Sequence, residues 1–275
     1  MRILLLANNW GGWQITRWLR ERHENIVALV THPPGNRKFA DEIVTAASLP
    51  AERVLHAGQL READTLERLR ALEPDIGVSA FFGYILRPEV FQIPRLGCIN
   101  THPALLPRNR GWHPNVWPFL DGSPAGVSIH HIDAGVDSGD IIIQRRVAIR
   151  PTDTGGTLHQ RLTRELVDLF REAWPAIRSG TAPRTPQDHS AATTHRKADI
   201  AAHDVIDLDR RYTARELLAL LRARTYPPYP SAYFEEDGQR VYVRVQLLTP
   251  AEIDESGVPS WEEKPRPKNN SLNPS

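Results

Sequence analysis

Short apolar runs, separated by polar and amphipathic stretches, punctuate the first two-thirds of the chain. Arg2–Leu6 (RILLL), Ile26–Thr31 and Asp75–Ala80 are each long enough for one buried strand, and none shows the strict alternation of a half-exposed sheet. Between them, Ile15, Trp18 and Leu19 fall at helical spacing, Phe39–Ala47 opens a second helical stretch, and Leu66, Leu69 and Leu72 line one face of a third. Strands that alternate with helices predict a mostly parallel sheet covered on both faces, an α/β class of Rossmann-like architecture. Further strands are predicted at Gly97–Asn100, over Val127–Ile132 and at Asp140–Ile149.

The pattern then changes. Thr157-x-x-Gln160 reads as a capping box opening a long helix, with Leu158, Leu162, Leu166, Leu169, Phe170, Ala173, Trp174 and Ile177 as its buried stripe. Ser179-Gly180 stops that helix, so a catalytic unit is expected over 1–180. The polar stretch 181–195 reads as a linker, and 196–250 as a small α+β C-terminal subdomain. In the subdomain, Thr213-x-x-Glu216 caps a helix with Leu217, Leu218 and Leu221 inward, and Asp237-Gly238 turns a hairpin. The polar, proline-rich segment 251–275 has few apolar residues to bury and is expected to be disordered.

Composition narrows the class. With 34 basic and 33 acidic residues the formal charge is +1, which advertises no broad surface for nucleic acid. No apolar run approaches the ~20 residues needed to span a bilayer, and the apolar start MRILLL is short for a secretory signal, so a cytoplasmic location is expected. The lone Cys98 has no internal disulfide partner and fits a reducing compartment; a small apolar strand residue is the better reading than a nucleophile.

Candidate chemistry gathers in Gly97–Leu120, GCINTHPALLPRNRGWHPNVWPFL. Asn100 and His102 stand two apart at the end of a strand and so project to one side. A donor amide beside an imidazole suits a reaction that passes through an anionic tetrahedral intermediate, with Asn100 stabilising the oxyanion and His102 moving a proton. Asp137, in the tight loop of GVSIHHIDAGVDSGDIIIQ, is placed to return a carboxylate to His102. His113 ranks second as the base because it lacks the strand-end position. His130 and His131 are adjacent on a strand and point opposite ways, so no metal site is expected. Near the N-terminus, Asn8-Asn9-Trp10-Gly11-Gly12-Trp13 joins a strand to a helix and offers either an anion-binding turn or a plain glycine turn.

The pattern Asn100-x-His102-Pro103-x-Leu105-Leu106-Pro107 followed by Asp137-x-Gly139 resembles the folate-dependent formyltransferases, over roughly the first two-thirds of the chain. The segment Asn109-Arg110-Gly111-x-His113-Pro114-Asn115-x-Trp117 looks most like the branch that formylates nucleotide-linked amino sugars. The resemblance implies that Asn100, His102 and Asp137 are the catalytic triad and that N10-formyltetrahydrofolate is the co-substrate, without a metal. Its pterin would be held by the backbone around Tyr84, Ile85 and Leu86, with Asp133 in the loop above it. Gly11, Gly12, Arg110, His113 and Trp117 are the corresponding expectations for the acceptor, a small molecule rather than nucleic acid, with a homodimer as one assembly. Alternative readings are a methionyl-tRNA formyltransferase, a formyltetrahydrofolate hydrolase, and a folate- or nucleotide-binding protein with an inactive site. The hydrolases usually carry a regulatory domain ahead of the catalytic pattern, which here is expected to start at Met1.

Overall fold

The computed structural model describes residues 1–253; the rest of the expected disordered tail lies outside the described residues. In chain order the strands are β1 (Arg2–Ala7), β2 (Asn25–Thr31), β3 (Val54–His56), β4 (Ile76–Ala80), β5 (Cys98–His102), β6 (Arg110–Gly111), β7 (Gly126–His131), β8 (Ile141–Arg146), β9 (Thr194–His195), β10 (Tyr233–Glu236) and β11 (Gln239–Tyr242). The α-helices are α1 (Asn9–Glu21), α2 (Ala40–Ala47), α3 (Ala63–Ala71), α4 (Pro88–Phe91), α5 (Trp117–Leu120), α6 (Gly155–Ser179) and α7 (Ala214–Arg224). A seven-stranded sheet runs in the order β3-β2-β1-β4-β5-β7-β8. Its first five strands pair in parallel, whereas β7 and β8 are antiparallel to their neighbours. This is the Rossmann-like sheet with helices on both faces that the apolar runs predict.

Strand periodicity divides the core. Ile3 and Leu5 face the layer that holds Ile15 and Leu19 of α1, Ile43 of α2 and the Leu158–Ile177 stripe of α6. Leu4 and Leu6 face the opposite layer, with Leu66 and Leu69 of α3, Phe82 and Phe91. With both faces of β1 buried, an uninterrupted apolar run is what the position requires. Cys98 is buried in the second layer, and burial pushes its thiol up to about 12, as fits an inert strand residue.

Helix α6 starts earlier than its sequence suggests. The box is Thr154 with Thr157, not Thr157 with Gln160: Thr154 N donates to Thr157 Oγ1 at 2.8 Å and Thr157 N to Thr154 Oγ1 at 3.4 Å. Gly155 and Gly156 open the helix, and they are glycines because neighbours crowd them. A Cβ on Gly155 would collide with the Ala223 carbonyl, and one on Gly156 would sit 3.1 Å from the Tyr226 ring. Bare backbone here lets the end of α7 dock against the start of α6.

The small unit has its own minor core, Ile206, Leu221 and Ala232. Thr213 and Glu216 cap α7 as expected, and β10 and β11 pair across Asp237-Gly238. Leu218 is not inward: it is 46% exposed, because so small a core covers only a narrow stripe of α7. The stretch 181–195 is packed where a linker was expected. Thr185 exchanges backbone hydrogen bonds with Ile141, and β9 pairs with β6 beside the end of β5.

Candidate functional site

Three strands and one loop build the site. Ser79 of β4 lies beside Asn100 of β5 in the parallel register, and His130 of β7 lies beside Asn100 in the antiparallel register on its other side. Cross-strand partners share a sheet face, so Ser79, Asn100 and His130 form a row, with His102 two residues further along β5. Ser79 Oγ donates to Asn100 Oδ1 at 2.8 Å, which turns the amide so that Nδ2 presents its protons to the site.

Asp137 enters from the β7–β8 loop with φ of 48°, a left-handed conformation that few non-glycine residues adopt. Its Oδ1 accepts from Asn100 Nδ2 at 3.2 Å and lies 3.4 Å from His130 Nε2. Its Oδ2 accepts from the Gly111 amide at 2.9 Å and lies 3.5 Å from His102 Nδ1. Burial works against the carboxylate, but His102, the His130 hydrogen bond and the Gly111 N–H outweigh it and hold Asp137 below the ordinary carboxylate range. The group is ionised.

The imidazoles are oriented by carbonyls, which only accept. His102 Nε2 lies 3.0 Å from the Asn109 carbonyl and therefore carries a proton; Nδ1 is left facing Asp137. His130 Nδ1 likewise donates to the His131 carbonyl at 2.8 Å, so Nε2 is turned to Asn100 and Asp137. The three residues expected to form the triad are thus within reach of one another, and His130 joins them. Sequence reading treated His130 only as a poor metal ligand. The signal that finds it is register, available once β5 and β7 are known to be neighbours.

A cavity of about 380 Å³ opens over this row. One end is formed by Phe82, Gly83, Tyr84, Ile85 and Leu86 with Ile132, Asp133 and Val136. Tyr84, Ile85, Leu86 and Asp133 therefore line it, and Ile85 is 78% exposed, an uncovered apolar rim. The His32 ring steadies this loop, with Nε2 3.0 Å from the Phe82 carbonyl and an edge contact to Tyr84 at 4.6 Å. The other end is formed by Asn9, Gly111, Trp112, His113, Pro114 and His159. Burial, foremost, lowers the pKa of His113, and burial with the charge of Lys38 takes His159 down to about 4, so both rings are neutral at pH 7.

Four residues expected at the acceptor do not line this cavity. Gly11 and Gly12 lie buried in the first turn of α1, where a Cβ on Gly11 would strike the Phe81 ring and one on Gly12 would sit 2.9 Å from the Ala80 carbonyl. Their glycine character serves helix–strand packing, and Asn9 is the residue of that turn that lines the cavity. Arg110 is buried and spent on Gln187, with Nη2 donating to Oε1 at 2.7 Å. Trp117 is buried beneath the loop, donating from Nε1 to the Trp112 carbonyl at 2.8 Å and stacking on His195 at 3.8 Å. His113 alone of the central segment's expected acceptor residues lines the cavity.

Residues 1–173 match the family described as Formyl transferase, and residues 199–250 match the N-formyltransferase dimerization C-terminal domain. The chain is 36% identical over 242 residues to the methionyl-tRNA formyltransferase of Chloroflexus aggregans, spanning 85% of this chain and 75% of that protein. It is 38% identical over 253 residues to that of Macrococcus caseolyticus, spanning 89% and 78%. Among solved structures, a 4-N formyltransferase from Francisella tularensis superposes with a TM-score of 0.76 at 25% identity, over 90% of this chain and 98% of that one. The formyltransferase PseJ from Anoxybacillus kamchatkensis, in complex with UDP-4,6-dideoxy-4-formamido-L-AltNAc and tetrahydrofolate, gives 0.51 at 28% identity, over 74% and 89%.

Proposed function

Because the chain belongs to the formyl transferase family and is a folate-dependent one-carbon transferase, we propose that it moves a formyl group from N10-formyltetrahydrofolate to the primary amine of a nucleotide-linked amino sugar. The observation that carries this reading is the convergence of Asn100, His102 and Asp137 on a cavity with two chemically different ends. The end at 82–86 fits a flat folate ring: exposed loop backbone is available for hydrogen bonding, and the apolar rim of Tyr84 and Ile85 needs covering. The donor, when bound there, supplies a formyl carbon open to attack.

This chain's own groups do the rest. Asn100 Nδ2 is aimed by Ser79 and gives up its contact with Asp137 to stabilise the oxygen that becomes anionic. The ionised Asp137 facing His102 Nδ1 favours the imidazolium, and the proton lost by the attacking amine passes to this carboxylate, which restores it to His102 after the ring has given its own proton away. The same imidazolium is the acid for the departing folate nitrogen.

The acceptor end supports a sugar. Its rings are neutral, and Asn9, His113 and His159 offer hydrogen-bonding groups suited to hydroxyls. Lys38, bonded to the Tyr229 hydroxyl and 4.9 Å over its ring, and Lys197, 5.5 Å over Trp112, flank this wall and suit a diphosphate. The Francisella and Anoxybacillus proteins share the fold, and the latter holds a nucleotide-linked formamido sugar.

A methionyl-tRNA acceptor is the second reading, favoured by the curated relatives at 36% and 38% identity. The +1 formal charge weighs against it, since nucleic-acid affinity comes largely from cationic contacts with phosphates. Incubation with N10-formyltetrahydrofolate and, separately, a panel of UDP- and dTDP-linked amino sugars and methionyl-tRNA decides between them. Folate release with formamide product on a sugar is the expected result. Product on methionyl-tRNA alone would overturn the sugar reading, and release without any acceptor would indicate a hydrolase.

A further inference from the structure

We propose that Gln187, on the strap between the two units, is a positioning residue that holds the Asp137 carboxylate in its working place. This role rests on the triad reading above, because only there does the position of Asp137 matter to chemistry. Asp137 has a positive φ, and the loop around it is tight: Asp133 Oδ1 accepts from Gly135 N at 3.0 Å and from Ser138 Oγ at 2.7 Å. Those bonds close the outer half of the loop. They leave the carbonyls of Asp137 and Gly139 to be satisfied from outside.

Gln187 satisfies both. Its Nε2 donates to the Asp137 carbonyl at 2.9 Å and to the Gly139 carbonyl at 2.7 Å, one bond on each side of Ser138. Its Oε1 accepts from Arg110 Nε at 3.2 Å and Nη2 at 2.7 Å. Both protons and both lone-pair directions of the amide are used, so its orientation is fixed: reversed, it would set NH₂ against a guanidinium and an oxygen against two carbonyls. Gln187 and Arg110 are both buried, which raises the cost of any unmade bond.

The strap is itself anchored at each end. Thr185 and Ile141 exchange backbone bonds at 2.8 and 3.0 Å, and β9 pairs with β6, where Arg110 N donates to the Thr193 carbonyl at 2.9 Å and Trp112 N to the His195 carbonyl at 3.0 Å. The pairing places Gly111 with its amide on Asp137 Oδ2, and a side chain there would collide with the His195 carbonyl. Backbone of Asp137 is thus set by Gln187, and its carboxylate by Gly111. One segment fixes both.

The Gly111 amide reports on this geometry without any substrate, so the test does not depend on identifying the acceptor. In the full chain, Gln187→Ala and Gln187→Glu are compared with wild type by amide NMR. The Glu variant keeps a partner for Arg110 but turns an acceptor towards two carbonyls, so it removes the loop contact alone and guards against a variant that fails to fold. Both are expected to shift the Gly111 amide upfield and to speed its exchange roughly tenfold or more, with the β1 amides unchanged. An unchanged Gly111 amide in Gln187→Ala overturns the proposal. So does a change confined to that variant, which would mean that Arg110 and not the loop is what Gln187 holds. Turnover with the acceptor found by the panel adds a cycle. Gln187→Ala is expected to lower kcat with KM little changed, and to cost nothing further in an Asp137→Asn background. Additive losses would signify general destabilisation. A fully active Asp137→Asn would instead remove the triad reading while leaving the amide result standing.

Discussion

The two sources of functional groups in this site are built to different standards of rigidity. Asn100, His102, His130 and Ser79 ride on central strands, paired on both sides, and their spacing is set by sheet register. Asp137 and the Gly111 amide come from a loop and a two-residue strand, and only side-chain and strap contacts hold them in place. A strand delivers a side chain with no further help, whereas a loop needs a support for every residue that must not move. The difference explains why polar groups such as Asn109, Arg110 and Gln187 stand near the site without lining the cavity.

The largest effects are expected from the groups themselves. Asn100→Ala, His102→Ala and Asp137→Ala should each lower kcat by about 10²–10³-fold, the usual consequence of losing an oxyanion donor or its proton partner. Steady-state rates with melting curves check this, and a near-normal rate in any one variant removes that residue from the mechanism. Next comes the loop. A Cβ on Gly139 would collide with the His131 carbonyl, so Gly139→Ala should displace Asp137 and cost roughly 10–100-fold in kcat, in line with overpacking of ~1–3 kcal/mol. If that variant turns over like wild type, the loop is more forgiving than the strands and the comparison fails.

Ser79→Ala sharpens the strand side. It removes one neutral hydrogen bond that aims the Asn100 amide while leaving the strand in place, so a loss of about tenfold or less is expected, from ~1 kcal/mol. A loss as large as that of Asn100→Ala would make Ser79 more than an orienting group.

The smallest effect is on stability. Burial and Lys38 hold His159 down at about 4 against an ordinary 6.5, so the folded state binds its proton less readily than the unfolded chain does. Its contribution is complete above pH ~6.5 and is lost as pH falls from there towards 4. His131, held down to about 4 by burial and Arg184, acts in the same sense. Melting temperature should therefore decline over this window, and less so in His159→Gln. An equal decline in that variant would show that His159 is not among the groups responsible.

Much of this was legible beforehand, for identifiable reasons. Buried strands announce themselves as apolar runs, which located β1, β2 and β4. The i, i+2 rule placed Asn100 and His102 on one side before any fold was known. Boundaries were harder: the start of α6 depends on two glycines made necessary by a neighbour, and Leu218 points outward because the subdomain is too small to cover it. Arg110, Trp117, Gly11 and Gly12 look like ligand-binding residues by type, yet each is consumed by an internal contact.

What the amino-acid order alone determined was local: the periodicity of each element, the polar pair at the end of β5, and a motif specific enough to indicate a class of chemistry. Which side chains meet was a tertiary decision. His130 became a neighbour of Asn100 only through antiparallel register, and Gln187 reached Asp137 only because the chain doubles back across the loop. Periodicity depends on backbone geometry within a few residues, so it can be read along the chain. Contacts between residues fifty apart depend on how whole elements pack, and no short window of sequence contains that information.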